Sequence, residues 1–199
     1  GAAAYLSRLL GQDNRKTANA VASTALYSSI GIGAIAILLS LFFLQPILRQ
    51  FGALADIMPY ALSYSRIYIT FSIFNVFNVA MNNIVSSEGA ARTAMLALMS
   101  GAVLNVILDP IFIYTLGLGV SGAAIATALS QMVSSAIYIT YILRKKSVFT
   151  FHIRECRFSG DILSEILKIG VPTLLFQLLT SISIAMINDN RVSISIIPA

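Results

Sequence analysis

Long uncharged, apolar stretches separated by short charged segments dominate this chain. About 32 residues between Lys16 and Arg49 carry no charge, well beyond the ~20 that a helix needs to cross a bilayer. Further uncharged runs go from Ile67 to Ser87, from Thr93 to Leu108 and from Pro110 to Leu143, and a last one follows Lys168 and ends near Asn188. The Pro110–Leu143 run is too long for one span. It contains Gly117-Leu-Gly-Val-Ser-Gly122, a glycine-dense tight turn that divides it. The runs show no strict alternation and exceed the ~9–11 residues of a membrane β-strand. With no water in the hydrocarbon to satisfy the backbone, helices remain. The pattern predicts an all-α, polytopic transmembrane helical bundle with spans near Ala20–Leu44, Ala61–Ser86, Thr93–Leu116, Val120–Leu143 and Ile166–Asn188. Gly1–Leu10 reads as the tail of an earlier span, and both chain ends read as truncations.

Charge gives the orientation. One set of connecting segments holds Arg8, Arg15, Lys16, Arg92, Arg144, Lys145, Lys146, Arg154, Arg157 and Lys168; the other holds Arg49 and Arg66. Loops rich in Lys and Arg stay in the cytoplasm, so the first set is expected there. The stretch Lys145–Ser164 is the longest polar one and reads as a cytoplasmic linker between two helical bundles, or as an ordinary loop. Asp161 or Ser159 can cap the helix that follows, with Glu165 in its first turn.

Composition agrees. Of 199 residues 57% are hydrophobic and 11% charged, against about a quarter charged in a soluble domain. The net charge of +5 first suggests nucleic acid, but the basic residues sit at membrane ends on one side, so no nucleic-acid partner is expected. Cys156 is the single cysteine and His152 the single histidine, which leaves no disulfide framework and no zinc cluster.

Asp109 is the one carboxylate that falls within a predicted span. A charge at membrane depth costs several kcal/mol, so such residues face a cavity and serve ions or substrate. Asn105 shares its face at i,i+4 spacing, and Pro110, having no N–H, leaves the Val106 carbonyl without its helical partner. Asp109 and Thr127 lie at similar distances from the Gly117 turn, about 12 and 10 Å at 1.5 Å per residue. These oxygens suit a small hard cation or a proton. The alternative is that Asn-x-x-x-Asp-Pro marks a helix end at the outer interface. On another span Asn75, Asn78 and Asn82 share a face, for which interhelical hydrogen bonding is the ordinary role. The tyrosines and phenylalanines read as packing or lipid-facing residues. No phosphate loop, zinc-protease motif or nucleophile–base pair is present, so no enzyme activity is expected.

In combination these motifs resemble the MATE (multidrug and toxic compound extrusion) transporters. Gly1-Ala-Ala-Ala-Tyr-Leu-Ser-Arg-Leu-Leu-Gly11 with Asp13-Asn-Arg-Lys-Thr-Ala18 resembles the end of that family's second helix and the loop after it. Ser87-Glu-Gly89, Gly101-Ala-Val-Leu-Asn-Val-Ile-Leu-Asp-Pro-Ile-Phe-Ile113 and Gly117-Leu-Gly-Val-Ser-Gly-Ala-Ala-Ile-Ala-Thr127 resemble its fifth and sixth helices. Ile169-Gly-Val-Pro-Thr173 with Gln177 resembles the start of its seventh. The resemblance implies a truncated N-terminal half: a partial bundle over 1–144, a linker over 145–164, the first helix of a second bundle over 165–188, and an atypical tail over 189–199. It implies a multi-pass protein of the cytoplasmic (inner) membrane, monomeric as the full-length protein. The implied activity is export of cationic, amphipathic drugs across the lipid bilayer in exchange for Na⁺ or H⁺, with no other cofactor. It implies cation-binding roles for Asp109, Asn105, Thr127 and Asn82, the last being nearer the cytoplasm than Asp109. A lipid-linked oligosaccharide flippase of the same superfamily is the alternative.

Overall fold

The computed structural model describes residues 2–50 and 56–151, together with scattered positions beyond, among them 170–172 and 174–181. Helix α1 spans Ala2–Gly11, α2 Arg15–Phe42, α3 Leu44–Gln50, α4 Met58–Ser87, α5 Ala91–Pro110 and α6 Gly119–Leu143. A π-helical turn, Ile111–Thr115, follows α5. The segments Arg15–Phe42, Met58–Ser87, Ala91–Thr115 and Gly119–Leu143 are each long and apolar enough to cross a membrane. The chain is a multi-pass membrane protein, as the hydrophobic runs predict. Two expected features, the Ser159/Asp161 cap and the tail 189–199, lie outside the described residues, as do Cys156 and His152. Of the expected span Ile166–Asn188, the described positions within Gly170–Ser181 are helical.

Three boundaries differ from the sequence expectation. Helix α2 starts at Arg15 rather than Ala20 because the Asn14 side chain accepts the Thr17 N–H at 3.3 Å and caps it; this satisfies one of the donors left free at a helix start. Near the far end of α5, Pro110 cannot donate to the carbonyl four residues back. The backbone widens there instead, and the Leu116 N–H reaches the Ile111 carbonyl at 2.9 Å, five residues back. The turn before α6 is shorter than Gly117–Gly122. Gly117 and Gly119 take φ of +65° and +55°, a left-handed region open to glycine at little cost, and α6 is already under way at Gly119.

Helix α4 is central. Helices α1 and α2 pack against one side of it, α5 and α6 against the other. The buried core gathers at the end that carries Arg8, Arg15, Arg92 and Arg144: Leu6, Val21, Ala22, Met81, Ile84, Val85, Ala94, Ala97 and Tyr138 are all enclosed there. The opposite half is open, with Ile35, Leu38, Phe42, Tyr60 and Val106 exposed. Residues 147–151 fold back over the basic end. Glu88 accepts from the Ser147 hydroxyl and the Val148 N–H at 2.9 and 2.8 Å, Ser23 and Tyr27 donate to the carbonyls of Thr150 and Phe151, and Phe149 is buried in the core.

Small residues let α5 and α6 approach closely, as is common where lipid supplies no hydrophobic driving force between helices. A methyl carbon on Gly122 would lie 2.6 Å from the Phe112 carbonyl oxygen, which is backbone and has no side chain to move aside. One on Gly101 would collide with the Ser134 hydroxyl. Gly31 has nothing within 4 Å. Gly122→Ala is therefore expected to cost about 1–3 kcal/mol, the usual range for overpacking. It should lower the melting temperature of the full-length protein in detergent by several degrees, while Gly31→Ala leaves it unchanged. Equal melting of the two variants would show that the Gly122 contact is not what holds the hairpin.

Candidate functional site

A cavity of about 510 Å³ opens between α4, α5 and α6, within the range of small-molecule sites. Amides and hydroxyls line much of it: Asn75, Asn78, Asn82 and Asn83 from α4, Asn105 from α5, and Thr127, Gln131 and Ser134 from α6. No charged side chain is in the lining. Among the described residues no group of three or more His, Cys, Asp or Glu could hold a metal ion, so a cation here would rest on oxygen from amides, hydroxyls and a single carboxylate.

That carboxylate is Asp109, the only Asp or Glu in the four membrane-length helical segments. It lies just outside the cavity lining and joins it through Asn105. The Asn105 amide donates to Asp109 Oδ1 at 3.2 Å and to Thr127 Oγ1 at 3.3 Å. Thr127 donates onward to the Ala123 carbonyl within its own helix at 3.0 Å. All three side chains are half-buried. The short turn after the π-helical segment makes α5 and α6 antiparallel neighbours, and the contact of Gly122 with Phe112 sets their register. The structure thus brings Asn105, Asp109 and Thr127 together. It leaves Val106 outside: 71% exposed, it does not line the cavity.

Asn82 stands apart from this cluster. It lines the same cavity, but its amide donates to the Tyr138 hydroxyl at 3.1 Å and toward the Ala94 carbonyl at 3.5 Å. Tyr138 in turn donates to the Ala94 carbonyl at 3.3 Å. Asn82 is about 15 residues' worth of α5 nearer the core than Asp109, counted from Ala94 to Asp109, or ~22 Å at 1.5 Å per residue. Asn78 is similarly engaged, donating to the Gln131 side chain at 2.7 Å and accepting from Ser135 at 2.8 Å.

Thr127 apart, the polar residues of α6 that face these asparagines were not singled out in the sequence. Thr127, Gln131, Ser134, Ser135 and Tyr138 recur at i, i+4, i+7, i+8 and i+11, which is one face of a helix. The signal was present, but serine and glutamine in a span are individually unremarkable, and only the asparagine face opposite gives the stripe a counterpart.

Comparison with known proteins agrees with this architecture. The MatE family model matches residues 1–111. The multidrug export protein MepA of Staphylococcus saprophyticus is 31% identical over 188 residues, covering 94% of this chain and 42% of MepA. A solved inward-facing multidrug resistance MATE family transporter of the MOP superfamily superimposes with a TM-score of 0.85 at 37% identity, covering 92% of this chain and 42% of that one. A MATE structure in the bent conformation gives 0.88 at 36% identity, covering 98% and 43%. The chain therefore spans about two fifths of the length of these relatives.

The hydrogen bonds separate two kinds of polar residue. Asn82→Leu and Tyr138→Phe in the full-length protein are expected to lower thermal stability by roughly 0.5–1 kcal/mol each, typical of an interhelical hydrogen bond in a membrane. The double variant should cost less than the sum, because the two side chains share one bond. Both should keep the stabilising response to Na⁺ or to protons. An Asn82→Leu protein that melts normally yet has lost that response would return Asn82 to the cation site.

Proposed function

The chain belongs to the MatE family, and on that premise we propose that the whole protein is a cation-coupled multidrug efflux antiporter of the cytoplasmic membrane. The observation that carries this reading is the single span carboxylate, Asp109, linked through Asn105 to Thr127 beside an uncharged polar cavity. An ionised carboxylate in a low-dielectric site strongly favours a counter-charge. A proton, Na⁺ or a cationic substrate can each supply one. Where ion and substrate compete for the same charge, or favour opposite conformations, inward flow of one drives export of the other.

The chain's own groups suit this exchange. Asn105 now presents its amide nitrogen to both Asp109 and Thr127. Turning the amide about its last side-chain bond would offer its carbonyl oxygen instead, so the same residue can serve an empty carboxylate and one that shares a cation. Asp109, Asn105 and Thr127 supply too few oxygens for a full Na⁺ shell, and water from the open half would complete it. The flippase reading draws less support, because a large anionic headgroup calls for a cationic cavity and this lining holds amides and hydroxyls.

The basic end would face the cytoplasm. An impermeant thiol reagent should then reach Cys156, in a full-length protein freed of other cysteines, in inverted vesicles and not in intact cells. Labelling from outside intact cells would reverse the orientation. For coupling, Asp109→Asn removes the charge with almost no change in volume. Cells expressing it at normal levels should lose drug resistance to that of the empty vector. Vesicles should lose Na⁺- or pH-gradient-driven movement of a fluorescent cation while the protein still inserts. Undiminished efflux would remove Asp109 from the mechanism.

A further inference from the structure

We propose that Arg66 and Ser63 on α4 form a docking site for the phosphate of an anionic phospholipid of the phosphatidylglycerol type. Arg66 is the only Lys or Arg that lies more than a turn inside any of the four membrane-length segments. It is eight residues past Met58, the first residue of α4, or ~12 Å at 1.5 Å per residue. Its side chain is exposed. Among the described residues the one ion pair joins Arg15 to Asp13, so Arg66 has no carboxylate partner there. A cation inside a span ordinarily faces the bundle interior or a water-filled cavity, where it pairs with another group. Arg66 does not face the polar cavity. Asn75, which lines that cavity, is nine residues farther on and so on the opposite side of the helix.

The face around Arg66 is polar where lipid tails are expected. Pro59, Ser63, Arg66 and Thr70 recur at i, i+4, i+7 and i+11, the spacing of one helix face, and all four are exposed. Farther along the same face Phe77 packs against the core, so the exposed stripe is confined to the half of α4 away from the basic end. The Thr70 hydroxyl is turned back on the helix, donating to the Arg66 carbonyl at 2.7 Å. Ser63 has no hydrogen-bond partner among the described residues. It stands one turn from Arg66 toward the start of α4, the direction in which the headgroups lie.

Depth and charge select the partner. Helix α4 has 30 residues, which makes it ~45 Å long against a hydrocarbon core ~30 Å thick. Centred in the bilayer, it sets the Arg66 backbone about 5 Å below the headgroups, a depth from which an arginine snorkels outward. A lipid phosphate presents two unesterified oxygens, and a guanidinium takes such a pair with two parallel N–H bonds. The Ser63 hydroxyl can donate to a further headgroup oxygen. A zwitterionic lipid brings its own ammonium to the phosphate. Phosphatidylglycerol brings an uncompensated negative charge, which complements a guanidinium that no carboxylate neutralises. The orientation proposed above puts this lipid in the outer leaflet. Snorkelling into headgroup water is the ordinary explanation for such an arginine, but it favours neither one headgroup over another nor Arg over Lys.

The test is native mass spectrometry of the full-length protein in detergent, titrated with dioleoylphosphatidylglycerol and separately with dioleoylphosphatidylethanolamine. It reads bound lipid and total mass rather than transport, so its outcome is independent of the efflux reading. The parent should hold a tight phosphatidylglycerol that Ser63→Ala/Arg66→Leu releases, its affinity falling about tenfold with the loss of charge-assisted bonds. Arg66→Lys keeps the charge without the planar fork and should weaken the same lipid about threefold. It also keeps the test open should the leucine variant fold poorly. Arg92→Leu, at the basic end, should leave the tight lipid in place. Phosphatidylethanolamine should bind the parent and the variants alike. The proposal is overturned if the double variant holds phosphatidylglycerol as the parent does, if Arg66→Lys binds it as tightly as the parent, or if the double variant loses phosphatidylethanolamine to the same extent. It is also overturned if the parent is a dimer that Arg66→Leu dissociates, which would assign the face to a second copy of the protein.

Discussion

The contact of Gly122 with the Phe112 backbone is the constraint on which the rest of the arrangement depends. Side chains that must share a site from two antiparallel helices need matched depth and matched rotation. The short turn after Thr115 supplies the first. The second comes from a contact that no residue with a side chain can make: backbone against bare Cα, 2.6 Å from where a methyl carbon would sit. Pro110 prepares it. By withholding an N–H it lets the helix widen into a π-helical turn, and widened turns of this kind often occur at functional sites. Asn105 and Asp109 lie just before the widening, Thr127 just after the glycine, and a hydrogen bond already connects them.

The two ends of the bundle use polarity for opposite purposes. At the basic end, Asn78 and Asn82 are committed to Gln131, Ser135, Tyr138 and the Ala94 carbonyl. Each bond in such a set is worth well under 1 kcal/mol on average, but a buried polar group without a partner is costly, so the set fixes which faces of α4, α5 and α6 meet. Toward the open end the polar groups are fewer and less completely paired. Asn75 lines three recesses of the bundle. The Glu88 carboxylate, outside the spans, extends the closed end by holding residues 147–148 across it.

Much of this was legible in the sequence because lipid removes alternatives. Uncharged length predicts spans, and a lone carboxylate predicts a polar face for α5; both survive in the structure, and apart from the start of α2 the ends of the four described spans fall within a turn of the expectation. What the sequence hid lies in features with no periodic signature. The start of α2 at Arg15 depends on a single Asn14 cap set against two basic residues in the first turn, where the helix dipole disfavours them. The short α3 interrupts an apolar run that hydropathy alone reads as continuous. Asn82 and Asn105 look alike in sequence, each an amide in a span; only their partners distinguish an amide engaged at the closed end from one beside a carboxylate. The docking of Phe149 could not be read at all, since a phenylalanine in a polar stretch carries no sign of where it will be buried.

The partners of Asp109 also bear on how it would serve the proposed coupling. An ionised carboxylate taken out of water loses several kcal/mol of solvation. A single amide donor at 3.2 Å returns only part of that, since a hydrogen bond to a charged group is worth about 1.5–3 kcal/mol. Cation-free, the site would be left in deficit by the difference, unless water enters from the open half. A conformation that excluded the water would deepen the deficit; a bound proton or cation would remove it. Under the proposed coupling, the closed arrangement would be strongly favoured only when Asp109 is neutralised, whichever partner does so. A ligand can shift a conformational equilibrium only by its differential affinity for the two states. In the proposed antiporter that difference would arise from the desolvation of one charge. Each cation that neutralises Asp109 acts on the same equilibrium, and an antiporter needs its two cargoes to do so in turn.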